Sequence, residues 1–217
     1  MKIILLFFFS LSLCAQTQPE WRRKLLDFAK KNVVHQSWGY DHAERNYRLS
    51  LKIAEAEGIS LDEEVLFAAS YLHDLGGLAG FEVEGVDHGV RSGELAAPLL
   101  KGMGFPEEKI KDVQEMIVDH VYTHPTPESP FSRIFREADI LDFLGAVGIM
   151  RLMAANLEMG PTPDLRNSVA AIESMMKNMP AKLTFPSTKK EGQRRIEVGN
   201  KIMKEFKKDF TGNSPDV

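Results

Sequence analysis

The chain has 217 residues, a net charge of −4 at pH 7 and 43% hydrophobic residues. This slightly acidic balance argues against broad binding to nucleic acid or to an anionic membrane surface. Its one cysteine, Cys14, leaves the remainder of the chain without a disulfide or a thiolate ligand. The expected partner is therefore a small molecule, and any chemistry must use His, Asp, Glu or Ser.

The first twenty residues read MKIILLFFFSLSLCAQTQPE, with one lysine ahead of an unbroken apolar stretch. This pattern predicts a secretory signal over residues 1–16 and an exported protein, periplasmic or secreted. The stretch is too short for an ordinary transmembrane helix, so no transmembrane segment is expected. Two processing routes stay open: cleavage after Ala15 or Gln16, or a lipid anchor at Cys14, although the preceding LSL is a poor match for lipidation. A cytosolic chain with an unusual N-terminus is a third reading.

Residues 17–217 have the length of one domain, and helical spacing of apolar residues dominates them. The sequence therefore predicts an all-α fold with a single helical domain behind the signal. A core motif region is expected over residues 37–151 and C-terminal helices over 163–210. The predicted helices are Trp21–Val34, Asp41–Glu57, Leu61–Leu75, Asp87–Gly102, Pro106–Tyr122, Phe131–Glu158, Pro163–Met179 and Lys189–Phe210.

Three histidines lie in line with the apolar stripes of predicted helices, at spacings of three and four residues. His42 aligns with Leu49 and Ile53, while His88 and His120 join the stripes of their own helices. A single histidine in such a place is more often a core residue than a metal ligand. Several such histidines on different helices favour a shared site.

Two carboxylates, Asp139 and Asp142, border an apolar face, and His73 and Asp74 end another helix beside Gly76. An isolated buried carboxylate loses its hydration and needs a cation, a proton or a hydrogen-bond donor. A shared metal ion would supply that cation for all these helices. With no cysteine available, imidazole and carboxylate ligands suit Mn, Fe, Co, Ni or Zn.

The order His42, His73–Asp74, Asp139 resembles the H…HD…D signature of the HD-domain superfamily of metal-dependent phosphohydrolases. The resemblance extends through DHAERNYRLSLKIA, LFAASYLHDLGG, DHGVRSGELA, MIVDHVYTH and EADILDFLGAVGIMR, from about Ser37 to Arg151. It implies an all-helical fold and a divalent metal, with Mn favoured and Fe, Co, Ni, Zn or Mg as alternatives. Ile140 departs from the small stand-alone relatives, where a basic or polar residue is expected, which weakens any transfer of their substrate.

The resemblance also implies a role for each motif residue. His42, His73, Asp74 and Asp139 would bind the first metal, and His88 and His120 would bind a second metal or phosphate oxygens. Asp74 would also orient the attacking water, and His88 or His120 would protonate or stabilise the leaving oxygen if no second metal occupies them. Arg45 is a candidate phosphate clamp, with a solvated helix arginine as the alternative, and Asp142 is a candidate partner of a ligand imidazole.

Four other residues carry weaker expectations. His35 and Trp38 could line the pocket or pack at its edge. His124 is expected in an exposed loop, and Arg151 is expected to form a structural ion pair.

The favoured function is an exported metal-dependent phosphohydrolase that acts on a nucleotide or another small phosphoester, at a mono-, di- or pyrophosphate bond. Two alternatives stay open. The resemblance also admits a di-iron oxygenase, or a non-catalytic module that binds metal and ligand.

Overall fold

The computed structural model describes residues 18–159 and 164–211, so the predicted signal over 1–16 and Cys14 lie outside the described residues. Regular structure in the described ranges is entirely helical, which confirms the predicted all-α fold. The α-helices there are α1 (Glu20–Asn32), α2 (Tyr40–Glu57), α3 (Glu63–Leu72), α4 (His88–Met103), α5 (Ile110–Asp119), α6 (Pro130–Asp142), α7 (Gly145–Met159), α8 (Leu165–Asn178) and α9 (Pro186–Thr211). Short 3₁₀ segments cover Leu75–Gly77, Glu107–Lys109 and Met179–Lys182.

Aspartates cap the starts of α3 and α4. Asp87 Oδ1 accepts hydrogen bonds from the amides of Gly89 and Val90, at 2.9 and 3.1 Å, and so begins α4. Asp62 caps α3 in the same way. Ser60 and Glu63 match the sequence pattern of a capping box, but the cap is Asp62, two residues after Ser60.

The predicted single helix Phe131–Glu158 is wrong, since α6 and α7 meet at an angle of 77°. Gly145, at the first position of α7, has a positive φ of 77°, which L side chains rarely adopt. A side chain at Gly148 would come within 2.1 Å of the Phe143 carbonyl oxygen. Gly145 adopts the positive φ of the turn, and Gly148 leaves room for the backbone of Phe143. Together they allow the chain to bend by 77° between α6 and α7.

The core has three parts. Trp21, Leu25, Leu72, Leu100 and Ile117 belong to the largest, in which α1, α3, α4 and α5 pack together. A second cluster joins α2, α6 and α9, and a third joins α7, α8 and α9. Since α2 packs on α3 and α6, and α5 packs on α3, α4 and α6, the ends of α3 and α5 come close to the start of α2.

Within the described ranges, no single helix is long and apolar enough to cross a membrane. Helices α6 and α7, which are bent by 77°, together have the length and the composition of a bent membrane span.

Candidate metal centre

His42 lies in the first turn of α2 and is buried. Its Nδ1 lies 2.8 Å from Asp142 Oδ2, at the end of α6. A carboxylate can only accept, so Nδ1 carries the proton, and Nε2 is left with a free lone pair. That lone pair faces the interior of the site.

His73 follows the last residue of α3 and is also buried. Its Nδ1 lies 2.9 Å from the Ser70 carbonyl oxygen, which again assigns the proton to Nδ1. The Nε2 atoms of His42 and His73 are 3.2 Å apart. With both protons committed elsewhere, two lone pairs face each other at a distance that requires a cation between them.

Asp74 lies between two pairs of histidines. Its Oδ2 is 3.1 Å from His73 Nε2 and 3.5 Å from His42 Nε2. Its Oδ1 is 3.5 Å from His120 Nε2 and 3.7 Å from His88 Nε2. One carboxylate therefore reaches both histidine pairs, each through a different oxygen.

The second histidine pair comes from the start of α4 and the end of α5. The Nε2 atoms of His88 and His120 are 3.2 Å apart. His120 Nδ1 donates to the Ile117 carbonyl oxygen, so its Nε2 lone pair also points inward. His120 is buried, whereas His88 is 40% exposed and marks the open side of the site.

Asp139 is buried on α6 and completes the first group of donors. Its Oδ1 lies 3.1 Å from His42 Nε2, yet no described group donates a hydrogen bond to this oxygen. The contact joins an anionic oxygen to a nitrogen lone pair. A buried acceptor in this position indicates that a positive ion belongs there.

The donors fit a metal ion. Two groups, His42–His73–Asp139 and His73–Asp74–His120, each offer ligand atoms that lie within 4.8 Å of one another. Imidazole and carboxylate donors suit a divalent ion of the first transition series. The two groups overlap at His73, whose one Nε2 lone pair can bind a single ion, and the Nε2 atoms of His88 and His120 beside Asp74 Oδ1 are the further donors that a second ion could use.

The electrostatics favour positive charge at the centre. Burial lowers the pKa of His42, but the nearby carboxylates of Asp139, Asp142 and Asp74 outweigh burial and raise that pKa to about 10 when no metal is bound. Burial likewise lowers the pKa of His120, and Asp74 outweighs it, so the pKa is raised. Burial raises the pKa of Asp74, but the neighbouring histidines hold it well below its usual range. The cluster therefore retains a proton or binds a metal ion in its place.

Residues 39–144, which carry all of these side chains, match the HD domain profile. The chain is an HD-domain protein. The predicted family resemblance is thereby confirmed. No curated protein matches the chain.

Solved structures share the fold of this HD protein. A Lactobacillus plantarum protein is 19% identical with a TM-score of 0.67, over 90% of this chain and 99% of its own. Bacillus subtilis YpgQ in complex with ADP is 21% identical with a TM-score of 0.65, over 91% and 96%. An HD-superfamily hydrolase from Bacillus thuringiensis is 24% identical with a TM-score of 0.62, over 90% and 99%.

A cavity of about 650 Å³ opens directly on the metal centre of the HD domain. Asp74, His88, His120 and Asp139 form its polar floor. Its other described lining residues are Trp38, Gly77, Val121, Tyr122, Phe143, Leu152, Ala155, Asn156, Ala171 and Met175. The volume falls within the range of small-molecule sites in proteins.

Arg45 does not line this cavity. Its guanidinium binds Asp142, with Nε 3.0 Å from Oδ1 and Nη2 3.0 Å from Oδ2. Arg45 lines a separate cleft of about 340 Å³, together with Arg48, Lys52, Arg194 and Arg195. The structure thus places the candidate phosphate clamp behind the metal centre, where it holds the partner of His42.

The weaker expectations have separate outcomes. Trp38 lines the metal cavity. The His35 ring stacks on the Trp38 ring, with the two ring centroids 4.3 Å apart. His124 Nε2 lies 3.5 Å from Asp87 Oδ2, so His124 pairs with the aspartate that caps α4 and not with the candidate metal ligands. Arg151 donates to Asp142 Oδ2 at 2.7 Å, so its ion pair also supports His42.

Sequence reasoning missed most of the apolar wall and one supporting group, Ser92. Ser92 Oγ accepts from the Gly76 amide at 2.8 Å and anchors the turn after Asp74. Asn156 and Met175 reach the cavity from α7 and α8. Ser92 follows His88 on the same stripe, which is a usable signal, but Leu152, Asn156, Ala171 and Met175 lie outside every motif of the sequence.

Proposed function

We propose that this HD-domain protein is a metal-dependent phosphohydrolase that acts on a nucleotide or another small phosphoester. The carrying observation is the convergence of four imidazole Nε2 atoms around two carboxylates, the buried Asp139 and the partly exposed Asp74, at the floor of an open cavity. Water and a phosphate can approach this floor from one side. The fold that the chain shares with HD-superfamily hydrolases supports the same reading.

His42, His73, Asp74 and Asp139 would hold the first divalent ion, and His88 and His120 a second ion or phosphate oxygens. A divalent ion in this place supplies Lewis-acid polarisation of a phosphoryl oxygen and lowers the pKa of bound water. Mn is the ion proposed for this donor set, with Fe, Co, Ni, Zn or Mg as alternatives.

The chain's own residues then have distinct tasks. Asp74 would accept a hydrogen bond from the attacking water and so orient it. With no second ion bound, His88, 40% exposed at the mouth, would donate a proton to the leaving oxygen. The water oxygen bonds to phosphorus, the bond from phosphorus to the leaving oxygen breaks, and that oxygen takes the proton. Asp142 and Ser70 keep His42 and His73 in the required tautomers.

A nucleotide is included among the proposed substrates because another protein with the same fold binds one. YpgQ, with the same fold, was solved in complex with ADP. At 21% identity this likeness concerns the fold, so the substrate of the present chain has to be measured.

The test is phosphate release by the purified protein loaded with Mn²⁺, over a panel of nucleotides and small phosphoesters. We expect the wild-type protein to release phosphate. Asp74→Ala and Asp139→Ala should lose both the bound metal and the turnover, and both variants should stay helical. Asp112→Ala, an exposed carboxylate on α5, is the matched control and should keep both metal and turnover. Metal retained at wild-type level in the first two variants would contradict the assignment of the site.

Elemental analysis separates the alternatives. Two irons per chain, oxygen consumption and no phosphate release would identify a di-iron oxygenase instead. Bound metal and ligand without any turnover would identify a binding module. Both outcomes would overturn the phosphohydrolase.

Export is a separate part of the proposal and rests on residues 1–16. Intact mass of the protein recovered outside the cytoplasm should show loss of about 16 residues, or a lipid on Cys14. Full-length mass in the cytoplasmic fraction would contradict export.

A further inference from the structure

The wall of the metal cavity is apolar. Above the floor, the described lining side chains are aliphatic or aromatic, apart from the Asn156 amide and the Tyr122 hydroxyl. Trp38, Tyr122 and Phe143 supply three rings, and Leu152 and Met175 supply flexible aliphatic contact. Such a wall binds a planar or aliphatic group through burial and ring contacts.

No lysine or arginine lines this cavity among the residues that the structure describes. The arginines behind the metal centre are engaged, since Arg45 and Arg151 both bind Asp142. Arg45 faces the separate basic cleft with Arg48, Lys52, Arg194 and Arg195. Two cations lie behind the wall, with the Arg151 guanidinium carbon 5.0 Å from the centre of the Phe143 ring and Lys182 Nζ 6.0 Å from that of Tyr122, but neither lines the cavity.

This distribution of charge limits the substrate. Metal at the floor can neutralise one phosphoryl group, but a second or third phosphate would lie against apolar carbon. An anion in such surroundings loses hydration without gaining a charged partner. Sites for polyphosphates place arginine, lysine or free backbone amides around each phosphate.

We propose that the cavity accepts a phosphomonoester with a single phosphoryl group on an aromatic or apolar alcohol, an inference that rests on the proposed function. The phosphoryl group lies on the floor and the apolar body lies between Trp38, Phe143 and Leu152. Asn156 donates to the Leu152 carbonyl at 2.8 Å, and its Oδ1 has no described donor, so it can accept one hydrogen bond from the body. Hydrolysis yields inorganic phosphate and the free alcohol, whose oxygen takes a proton.

The test compares three substrates with the Mn²⁺-loaded full chain. 1-Naphthyl phosphate has one phosphoryl group and an apolar body, glycerol phosphate has the same group on a polar body, and ATP has three phosphates. We expect kcat/KM for 1-naphthyl phosphate to exceed both others by at least tenfold. The comparison with glycerol phosphate measures the effect of the apolar wall on kcat/KM. The comparison with ATP measures the effect of having no cationic side chain in the cavity lining.

Variants of α7 test the wall itself. Asn156→Arg adds a cation to the cavity. It should raise the ratio of kcat/KM for ATP to kcat/KM for 1-naphthyl phosphate by at least tenfold. Leu157→Arg, one residue further along and exposed, is the matched control and should change that ratio less than twofold. Leu152→Ala, which removes wall contact without adding charge, should raise KM for 1-naphthyl phosphate about fivefold or more with little change in kcat.

The outcomes separate the two levels of the proposal. Preference for ATP, or equal rates for glycerol phosphate and 1-naphthyl phosphate, overturns this inference and leaves the phosphohydrolase standing. An unchanged ratio in Asn156→Arg that still folds also counts against the inference. Absence of turnover on every substrate, with Mn²⁺ bound, overturns the phosphohydrolase and the inference with it.

Discussion

Asp142 is the residue that organises the metal centre from behind. It accepts from His42 Nδ1 and also binds the guanidinium groups of Arg45 and Arg151. Burial raises the pKa of Asp142, but the hydrogen bond to His42 and the charge of Arg151 lower it below its ordinary value. Asp142 therefore stays a carboxylate, and His42 keeps its proton on Nδ1 and its Nε2 toward the other candidate ligands, Asp74 and Asp139.

Asp142→Asn should weaken metal binding by about 10- to 100-fold, the usual effect of losing the partner of a ligand imidazole. The amide carries no charge, so Arg45 and Arg151 lose their ion pairs and the orientation of His42 is no longer held firmly. Metal titration by calorimetry measures the effect, with circular dichroism to show that the variant is folded.

Asp41→Asn is the control for that experiment, since Asp41 precedes His42 but is exposed. It should bind metal as the wild type does. Equal affinities in both variants would show that Asp142 does not support the metal centre.

At the scale of elements, the site depends on close packing of the 3₁₀ turn Leu75–Gly77 against α4. A Cβ on Gly76 would lie 2.6 Å from the His88 carbonyl oxygen and 2.6 Å from the Ser92 amide nitrogen. Both contacts are with backbone, which cannot move aside cheaply. The approach carries Asp74 to within reach of His88, so a glycine is needed for the two histidine pairs to share one carboxylate.

Gly76→Ala should lower the free energy of unfolding by about 1–3 kcal/mol, because the turn and α4 must separate. The same shift should weaken metal binding, since Asp74 and His88 move apart. Urea denaturation without metal measures the first effect and metal titration measures the second.

Gly102→Ala, in the helix α4 against which Gly76 packs, gives the opposite expectation. A Cβ there meets nothing within 4 Å, and its φ is not positive. Removing glycine from a helix interior should raise the free energy of unfolding by about 0.5–1 kcal/mol. A Gly76→Ala variant as stable as the wild type would show that the turn does not need to lie so close to α4.

At the scale of the whole molecule, the metal centre joins elements far apart in sequence. α2 supplies His42, the ends of α3 and α5 supply His73, Asp74 and His120, α4 supplies His88, and α6 supplies Asp139. A ligand that binds the folded state alone stabilises it by mass action. Metal should therefore act on the cooperative unfolding of the whole domain.

Metal at a hundred times its dissociation constant should add about 2.7 kcal/mol to the free energy of unfolding. For a domain of this size, Tm should rise by roughly 5–10 °C. Asp139→Asn should show little of this rise, since its carboxylate is lost from the first group of donors. Differential scanning calorimetry with and without Mn²⁺ measures both, and an equal rise in the two proteins would place the metal elsewhere.

Much of the fold and the candidate site could be predicted from sequence, because both depend on local patterns. Apolar spacing predicted helices close to α1, α2, α4 and α9, and the same spacing placed His42, His88 and His120 on inward faces. The bend between α6 and α7 could not be predicted. It depends on φ at Gly145 and on packing against Phe143, whereas the apolar pattern continues without interruption from Phe131 to Glu158.

By itself, the sequence determined that the protein is helical, that it has an HD domain, and which histidines and aspartates can meet, since residue type and helical period are local properties. Only the tertiary structure decided that Asp74 reaches both histidine pairs, that Arg45 turns away to Asp142, and that the cavity wall is apolar and free of described cations. These features depend on distances between residues remote in sequence, such as Trp38, Leu152 and Met175. Packing sets such distances, and no local pattern encodes them.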